Sequence, residues 1–181
     1  MSTAVVLTST ASDRVKAVRA LHERAGRRKA GAFLVEGPQA VGCALTAAGL
    51  PVREVFVDSG ALHLAEAARD RGVRVTEVSA RVLAAMAQTE QPQGILAVCD
   101  LLTVPDLDAV MAAPGPVLVL DAVADPGNVG TMIRTAAGAG AALVALGPGC
   151  ADVHNGKVVR ATAGALFDVP NAVGAEIDAI A

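Results

Sequence analysis

Residues 125–136 read DPGNVGTMIRTA, which sets an asparagine and an arginine six positions apart behind a proline–glycine turn. Pro126 and Gly127 turn the chain, and Asn128 is suited to cap the backbone N–H groups of a helix that starts there. On such a helix Val129, Met132, Ile133 and Ala136 share one face, with Gly140 continuing it, and Arg134 falls on another. An arginine carried into the crevice at the carboxyl edge of a parallel strand has a planar fork of donors that can hold a phosphate or orient a hydroxyl. The same spacing describes an ordinary capped helix with a surface arginine, and the local pattern leaves both readings open. It is neither GxGxxG nor GxxxxGK[ST], so it supports neither a dinucleotide site nor a Walker loop.

A second cluster lies in HNGKVVRATAGALF, residues 154–167. On a helix, Lys157, Arg160 and Gly164 share a face, which places two cations beside a point where another backbone can come close. A solvated basic face fits that pattern equally well. Two arginine-bearing helices following two neighbouring strands favour a shared anionic pocket over either helix taken alone.

A third concentration of charge sits near the start of the chain. The formal net charge is only −3, but Asp13–Lys29 holds Arg14, Lys16, Arg19, Arg24, Arg27, Arg28 and Lys29 against two acids, so this stretch is strongly basic and the remainder acidic. Such polarity points to a phosphate-bearing partner, the alternative being a solvated helix end. With 2% aromatic residues and no Trp or Tyr, the chain lacks platforms on which unpaired bases stack. Cys43, Cys99 and Cys150 are widely spaced and odd in number, and with His22, His63 and His154 they form no metal-ligand pattern. The cysteines are expected to be buried thiols in a reducing compartment, and the histidines surface or boundary residues. No signal peptide or membrane span is expected, which places the protein in the cytoplasm without a membrane partner.

The elements that must carry these residues follow from periodicity. At 181 residues and 53% hydrophobic, the chain can bury one large core or two small ones. Val15, Val18, Leu21 and Ala25 predict one amphipathic helix over 12–25, capped by Ser12 and basic on its outer face. AFLVEG, VREVFVD, RVTEV and GILAVCDLL read as strands, separated by helices over PQAVGCALTAAG, ALHLAEAARDRG and SARVLAAMAQ. This alternation predicts an α/β sandwich over about residues 30–102. TVPDLDAVMAAPG reads as a linker with a short helix. PVLVLDAV, the opening motif, AALVALG and the second cluster then give a βαβα start of two parallel strands. GAEIDAIA reads as the first turns of another helix.

These residues resemble a known family. The stretch from LDAVADPGNVGTMIRTA to KVVRATAGALFDVP is similar to the first half of the SpoU/TrmH-type catalytic domain, within the SPOUT class of S-adenosylmethionine-dependent RNA 2′-O-ribose methyltransferases. The upstream DRVKAVRALHERAGRRKAGAFLVEG resembles the RNA substrate-binding domain that accompanies it, a small ribosomal-protein-like α/β sandwich. The resemblance implies an RNA substrate-binding domain over 1–104 and a partial SPOUT methyltransferase domain over 115–181. It makes Asn128 and Arg134 the catalytic pair, with Arg134 helping to activate the ribose 2′-hydroxyl. It also makes Arg14, Lys16, Arg19, Arg27, Arg28, Lys29, Lys157 and Arg160 the RNA contacts, and Glu36–Gly37 a structural pair closing the first strand. Family members continue with a glycine- and glutamate-containing motif and a Ser-Leu-Asn run that form a trefoil knot. This sequence stops before both. The resemblance therefore implies that the S-adenosylmethionine site and most of a homodimer interface lie beyond Ala181, with no metal required. The expected function is methylation of structured RNA, ribosomal RNA foremost, by the complete protein; the alternative is a non-catalytic RNA-binding protein that keeps the N-terminal domain's grip.

Overall fold

The computed structural model describes residues 6–49, 51–103, 106, 109–110 and 112–174, and the chain divides into two compact units, Met1–Leu101 and Leu102–Ala181.

The first unit opens with α1 (Asp13–Ala20) and α2 (Arg24–Ala30). Ser12 caps α1 by accepting a hydrogen bond from Val15 N, and Val15, Val18 and Leu21 are buried as their spacing predicts. The single helix expected over 12–25 is two helices. The chain turns at Leu21–Glu23 so that Gly26 can lie against the end of α1, where a Cβ would fall 1.8 Å from Ala20 O. There follow β1 (Ala32–Glu36), α3 (Pro38–Thr46), β2 (Val52–Val57), α4 (Leu62–Asp70), β3 (Arg74–Glu77), α5 (Ala80–Met86) and β4 (Ile95–Asp100).

The strands form one sheet in the order β1-β4-β2-β3, with β4 antiparallel to β1 and β2, and β2 parallel to β3. Strand alternation sends Leu34, Phe56 and Leu96 to one face, where they pack with Val15 and Val18 of α1 and Val82, Leu83 and Met86 of α5. The neighbours Phe33, Val35, Val55, Val57 and Ala97 point to the other face, which α3 and α4 cover, and all are buried. Each large aliphatic side chain removed from water there contributes about 1.5–3 kcal/mol. The result is a three-layer α/β sandwich.

The second unit contains β5 (Val117–Leu120), α6 (Pro126–Gly138), β6 (Leu143–Leu146), α7 (Gly156–Thr162), a 3-10 turn (Ala165–Phe167) and β7 (Asn171–Val173). The strands are all parallel in the order β5-β6-β7. Two strands are predicted by the pattern; the third, only three residues long, is too short to show a period. Every residue of central β6 is buried, as a strand paired on both sides and covered on both faces requires. Of the expected linker helix, Ala109 and Val110 are helical, while residues 104–105, 107–108 and 111 lie outside the described residues, as does the helix expected from 175 onward. No helix among the described residues is long and apolar enough to cross a membrane.

Candidate active site

The site-bearing helix α6 leaves the carboxyl end of β5 through Asp121–Asp125. Pro126 occupies its first turn, where the missing N–H costs nothing, so the capping residue is the one before it. Asp125 Oδ1 accepts from Asn128 N at 2.8 Å, and the cap assigned to Asn128 belongs to Asp125. Asn128 stands inside the first turn with an exposed side chain. Val129, Ile133 and Ala136 are buried against the sheet, but Met132 remains 38% exposed, and Gly140 lies beyond the helix with φ +69°.

Gly130 sets how α6 meets α7. A Cβ there would fall 2.5 Å from Ala161 Cβ and 2.7 Å from Val158 O, so the two helices cross nearly backbone to backbone. Arg134 follows Gly130 by one turn on the same side of α6 and is exposed.

Helix α7 is capped by Asn155, whose Oδ1 accepts from Lys157 N at 2.9 Å. Lys157 is exposed and its Nζ lies 3.9 Å from Asp125 Oδ2, which brings a cation of α7 to the first turn of α6. Arg160 is half-buried on α7. The helix ends at Thr162 because Ala163 takes the left-handed conformation, φ +50°, followed by Gly164 at +99°. Gly164 is therefore off the face it was expected to share with Lys157 and Arg160; the residue that permits close approach is Gly130.

The two strand-to-helix loops are tied together. Gly147 N donates to Leu120 O and Ala151 N to Val123 O, each at 2.9 Å, and Cys150 Sγ donates to Leu120 O. Within this zipper Ala122 holds φ +52°, unusual for a residue with a side chain, and Gly149 gives it room. His154 is half-buried, with Nε2 accepting from Leu102 N at 3.0 Å and Nδ1 3.5 Å from Asp152 Oδ1. Among the described residues, no group of three His, Cys, Asp or Glu side chains is placed to hold a metal ion.

In the first unit the basic run divides into two classes. Arg27 is a correction: it is 3% exposed, and its Nη1 donates to Leu21 O at 3.0 Å and His22 O at 2.9 Å, the carbonyls left over where α1 ends. Arg14 pairs with Glu54, donates to Thr76 Oγ1 at 2.9 Å, and lies 5.6 Å from the centroid of Phe56, so its guanidinium braces β2 and β3. Lys16 is exposed beside Asp13, 3.1 Å away. Arg19, Arg28 and Lys29 are exposed and make no ion pair among the described residues; Arg24, left out of the expected RNA contacts, belongs with them. The Glu36 carboxylate accepts from Gln88 N, Thr89 N and Thr89 Oγ1, which ties the end of β1 to the loop before β4.

Sequence reasoning missed Asp125, Gly130 and Thr89. A proline in the first turn signals the first, because it moves the cap back by one residue. The other two depend on which segments meet across the fold.

Residues 12–97 match the model for the MRM3-like substrate binding domain, and residues 115–181 match that for the SpoU rRNA Methylase family. The chain is 38% identical over 162 residues to the 23S rRNA (guanosine(2553)-2'-O)-methyltransferase RlmP of Bacillus subtilis, covering 90% of this chain and 62% of that protein. An AdoMet-bound rRNA methyltransferase from Sinorhizobium meliloti superposes with a TM-score of 0.84 at 30% identity, over 98% of this chain and 67% of that one. The SpoU methyltransferase AviRb from Streptomyces viridochromogenes, in complex with AdoMet, gives 0.78 at 26% identity, over 93% and 65%. The chain thus spans about three fifths of the length of the Bacillus relative. With its substrate-binding and methylase segments matched in the family's order and on the family's fold, the chain belongs to the SpoU rRNA methylase family.

Proposed function

We propose that the whole protein is an S-adenosylmethionine-dependent methyltransferase acting on a ribose 2′-hydroxyl of structured ribosomal RNA. The observation that carries this reading is the meeting of α6 and α7. Asn128 and Arg134 ride on one helix, and Lys157 reaches its first turn from the other, at the carboxyl edge of a parallel sheet where α/β folds bind ligands.

A 2′-hydroxyl is a weak nucleophile that sheds its proton as it attacks. That proton passes to water, while the planar fork of Arg134 holds the neighbouring phosphate, fixes the attacking oxygen in line, and offsets the negative charge that develops there. Lys157 and Arg160 add positive potential for the RNA backbone beside it, and the exposed Asn128 amide supplies a donor and an acceptor at the same edge.

The methyl donor supplies an electrophilic sulfonium carbon. Its fit to the described residues is incomplete. At the carboxyl edge Gly147 N, Ala151 N and Cys150 Sγ already donate to the neighbouring loop, so these groups do not form an adenosyl seat. Homodimer formation and a cytoplasmic setting belong to the same proposal, the second supported by three cysteines that form no disulfide.

The test is methyl transfer from labelled S-adenosylmethionine to ribosomal RNA by the whole gene product. Arg134→Ala lowers turnover by about 10²–10³-fold, the scale of losing one oriented donor to the transition state, while circular dichroism shows the fold intact. Undiminished turnover would sink the role given to Arg134. RNA binding without transfer or donor binding by the whole product would favour a non-catalytic RNA-binding protein.

A further inference from the structure

We propose that the α1–α2 corner of the first unit is a preformed dock for the phosphate backbone of helical RNA, with Arg27, Gly26 and Arg53 as positioning residues that never touch the RNA. This rests on the reading that RNA is the substrate.

A helix carboxyl end carries partial negative charge on its last carbonyls, and nearby cations fold back onto it. Here both ends are satisfied from inside. Arg27, itself on α2, spans Leu21 O and His22 O at the end of α1. Arg53, on β2, donates to Ala30 O at 3.0 Å and Gly31 O at 2.9 Å at the end of α2, and its Nε is held by Asp100 Oδ1 at 2.6 Å. The outward cations are therefore not consumed by the helix ends.

The corner is also fixed in angle. Gly26 admits α2 directly against Ala20 O, and His22 Nε2 donates to Met86 O at 2.8 Å, pinning the turn to α5. On this scaffold Arg19, Arg24, Arg28 and Lys29 project outward without an ion pair among the described residues, and a shallow groove lined by Lys16, Arg19, Ala20, His22 and Glu23 runs beside the last turn of α1. Asp13 is met by Lys16, which leaves Glu23 as the acid in the groove.

The chemistry of this surface selects its partner. Phe33 and Phe56 are at most 1% exposed, and the chain has no Trp or Tyr, so the unit offers an unpaired base no exposed Phe, Tyr or Trp ring. Cations on a rigid frame bind phosphates without reading bases. An A-form helix, with its backbone held in a fixed path, suits a preformed corner, whereas a flexible strand gains nothing from it.

The test is a titration of this chain on a base-paired RNA hairpin and on an unstructured strand of equal length, from about 50 to 300 mM KCl. Replacing Arg24, Arg28 and Lys29 together by Gln lowers the slope of log K against log salt by about three and the affinity at low salt by roughly a hundredfold. A control, Arg71→Gln with Arg81→Gln, removes two exposed cations elsewhere on the same unit and changes the slope by less than about one. Arg27→Met keeps all four outward charges; it weakens hairpin binding about tenfold or more at an unchanged slope and loses the preference for hairpin over strand. Arg27→Lys, which keeps a donor for one carbonyl, recovers part of that preference. The proposal is overturned if the triple variant keeps the wild-type slope, if the control matches its loss, or if the wild type prefers the unstructured strand. Failure of the wild type to bind either RNA at any salt would instead reject RNA as the partner.

Discussion

Gly130 lies so close to Ala161 that a Cβ on Gly130 would stand 2.5 Å from the Ala161 Cβ and 2.7 Å from Val158 O. One of those neighbours is a backbone oxygen, which cannot swing aside. Gly130→Ala therefore pushes α7 off α6 and destabilises the unit by about 1–3 kcal/mol, the usual cost of overpacking. The opposite sign has a clear meaning, because alanine favours a helix over glycine by about 1 kcal/mol where there is room. Thermal unfolding decides the matter: a raised midpoint would show that the helices accept the methyl group.

Glu36 gives a second prediction. Its carboxylate gathers two backbone N–H groups and the Thr89 hydroxyl at 3.0–3.3 Å, which ties the start of the loop before β4 to the end of β1. Hydrogen bonds to a charged group contribute about 1.5–3 kcal/mol, and removing the acceptor also strands the donors. Glu36→Ala is expected to cost about that much in urea unfolding, and to speed amide exchange at Gln88 and Thr89 selectively. Glu36→Gln keeps one acceptor and loses less. Equal exchange rates in wild type and Glu36→Ala would remove the clamp from the account.

These two sites show where the sequence could be read and where it could not. The strands and the helices between them follow from local periodicity, and the buried face of α6 was legible in Val129, Ile133 and Ala136. Met132 departs from that stripe because it faces the side of α6 where β5 has no paired neighbour among the described residues. The resemblance places Arg27 among the RNA contacts with Arg28 because nothing local distinguishes the two. Its burial is dictated by two carbonyls, Leu21 O and His22 O, that become orphaned only because α1 ends at Ala20. The cap of α6 failed for a subtler reason: Asp125 and Asn128 are both good caps, and the choice between them turns on Pro126 entering the helix as its first residue. Contacts made across the fold, such as Gly130 with Ala161 or Glu36 with Thr89, leave no periodic trace.

Cys99 carries a pH prediction. It lies on β4 at 0% exposure, and burial, with the Asp100 carboxylate beside it, pushes the thiol up to about 12 from an ordinary value of 9.0, while Arg53 opposes the shift. A raised folded value means that the unfolded chain loses the proton first. Stability is then fully present below about pH 9 and declines as pH rises toward the folded value, by up to about 1.4 kcal/mol per unit. Urea midpoints measured from pH 8 to pH 10.5 should fall more steeply in the wild type than in Cys99→Ala, once both are referred to their own value at pH 8. The same burial predicts that a thiol reagent labels Cys43 and Cys150 in the folded protein well before Cys99. Parallel alkaline slopes in the two proteins would contradict it.

Asp125 does two things at once, and they can be separated. Its Oδ1 caps α6 through Asn128 N at 2.8 Å, while Oδ2 lies 3.9 Å from Lys157 Nζ. Both side chains of the pair are more than half exposed, so the ion pair contributes about 0–1 kcal/mol, whereas loss of a cap costs about 0.5–2. Asp125→Asn keeps an acceptor for Asn128 N and is expected to unfold within about 0.5 kcal/mol of wild type; Asp125→Ala loses the cap and falls by about 1. RNA affinity should move the other way. The carboxylate competes with phosphate for Lys157, so Asp125→Asn releases that cation and tightens RNA binding at low salt by a few-fold, with a salt slope steeper by up to about one. If both variants lose equal stability, the ion pair outweighs the cap; if the Asn variant binds RNA more weakly, Asp125 orients Lys157 rather than restraining it.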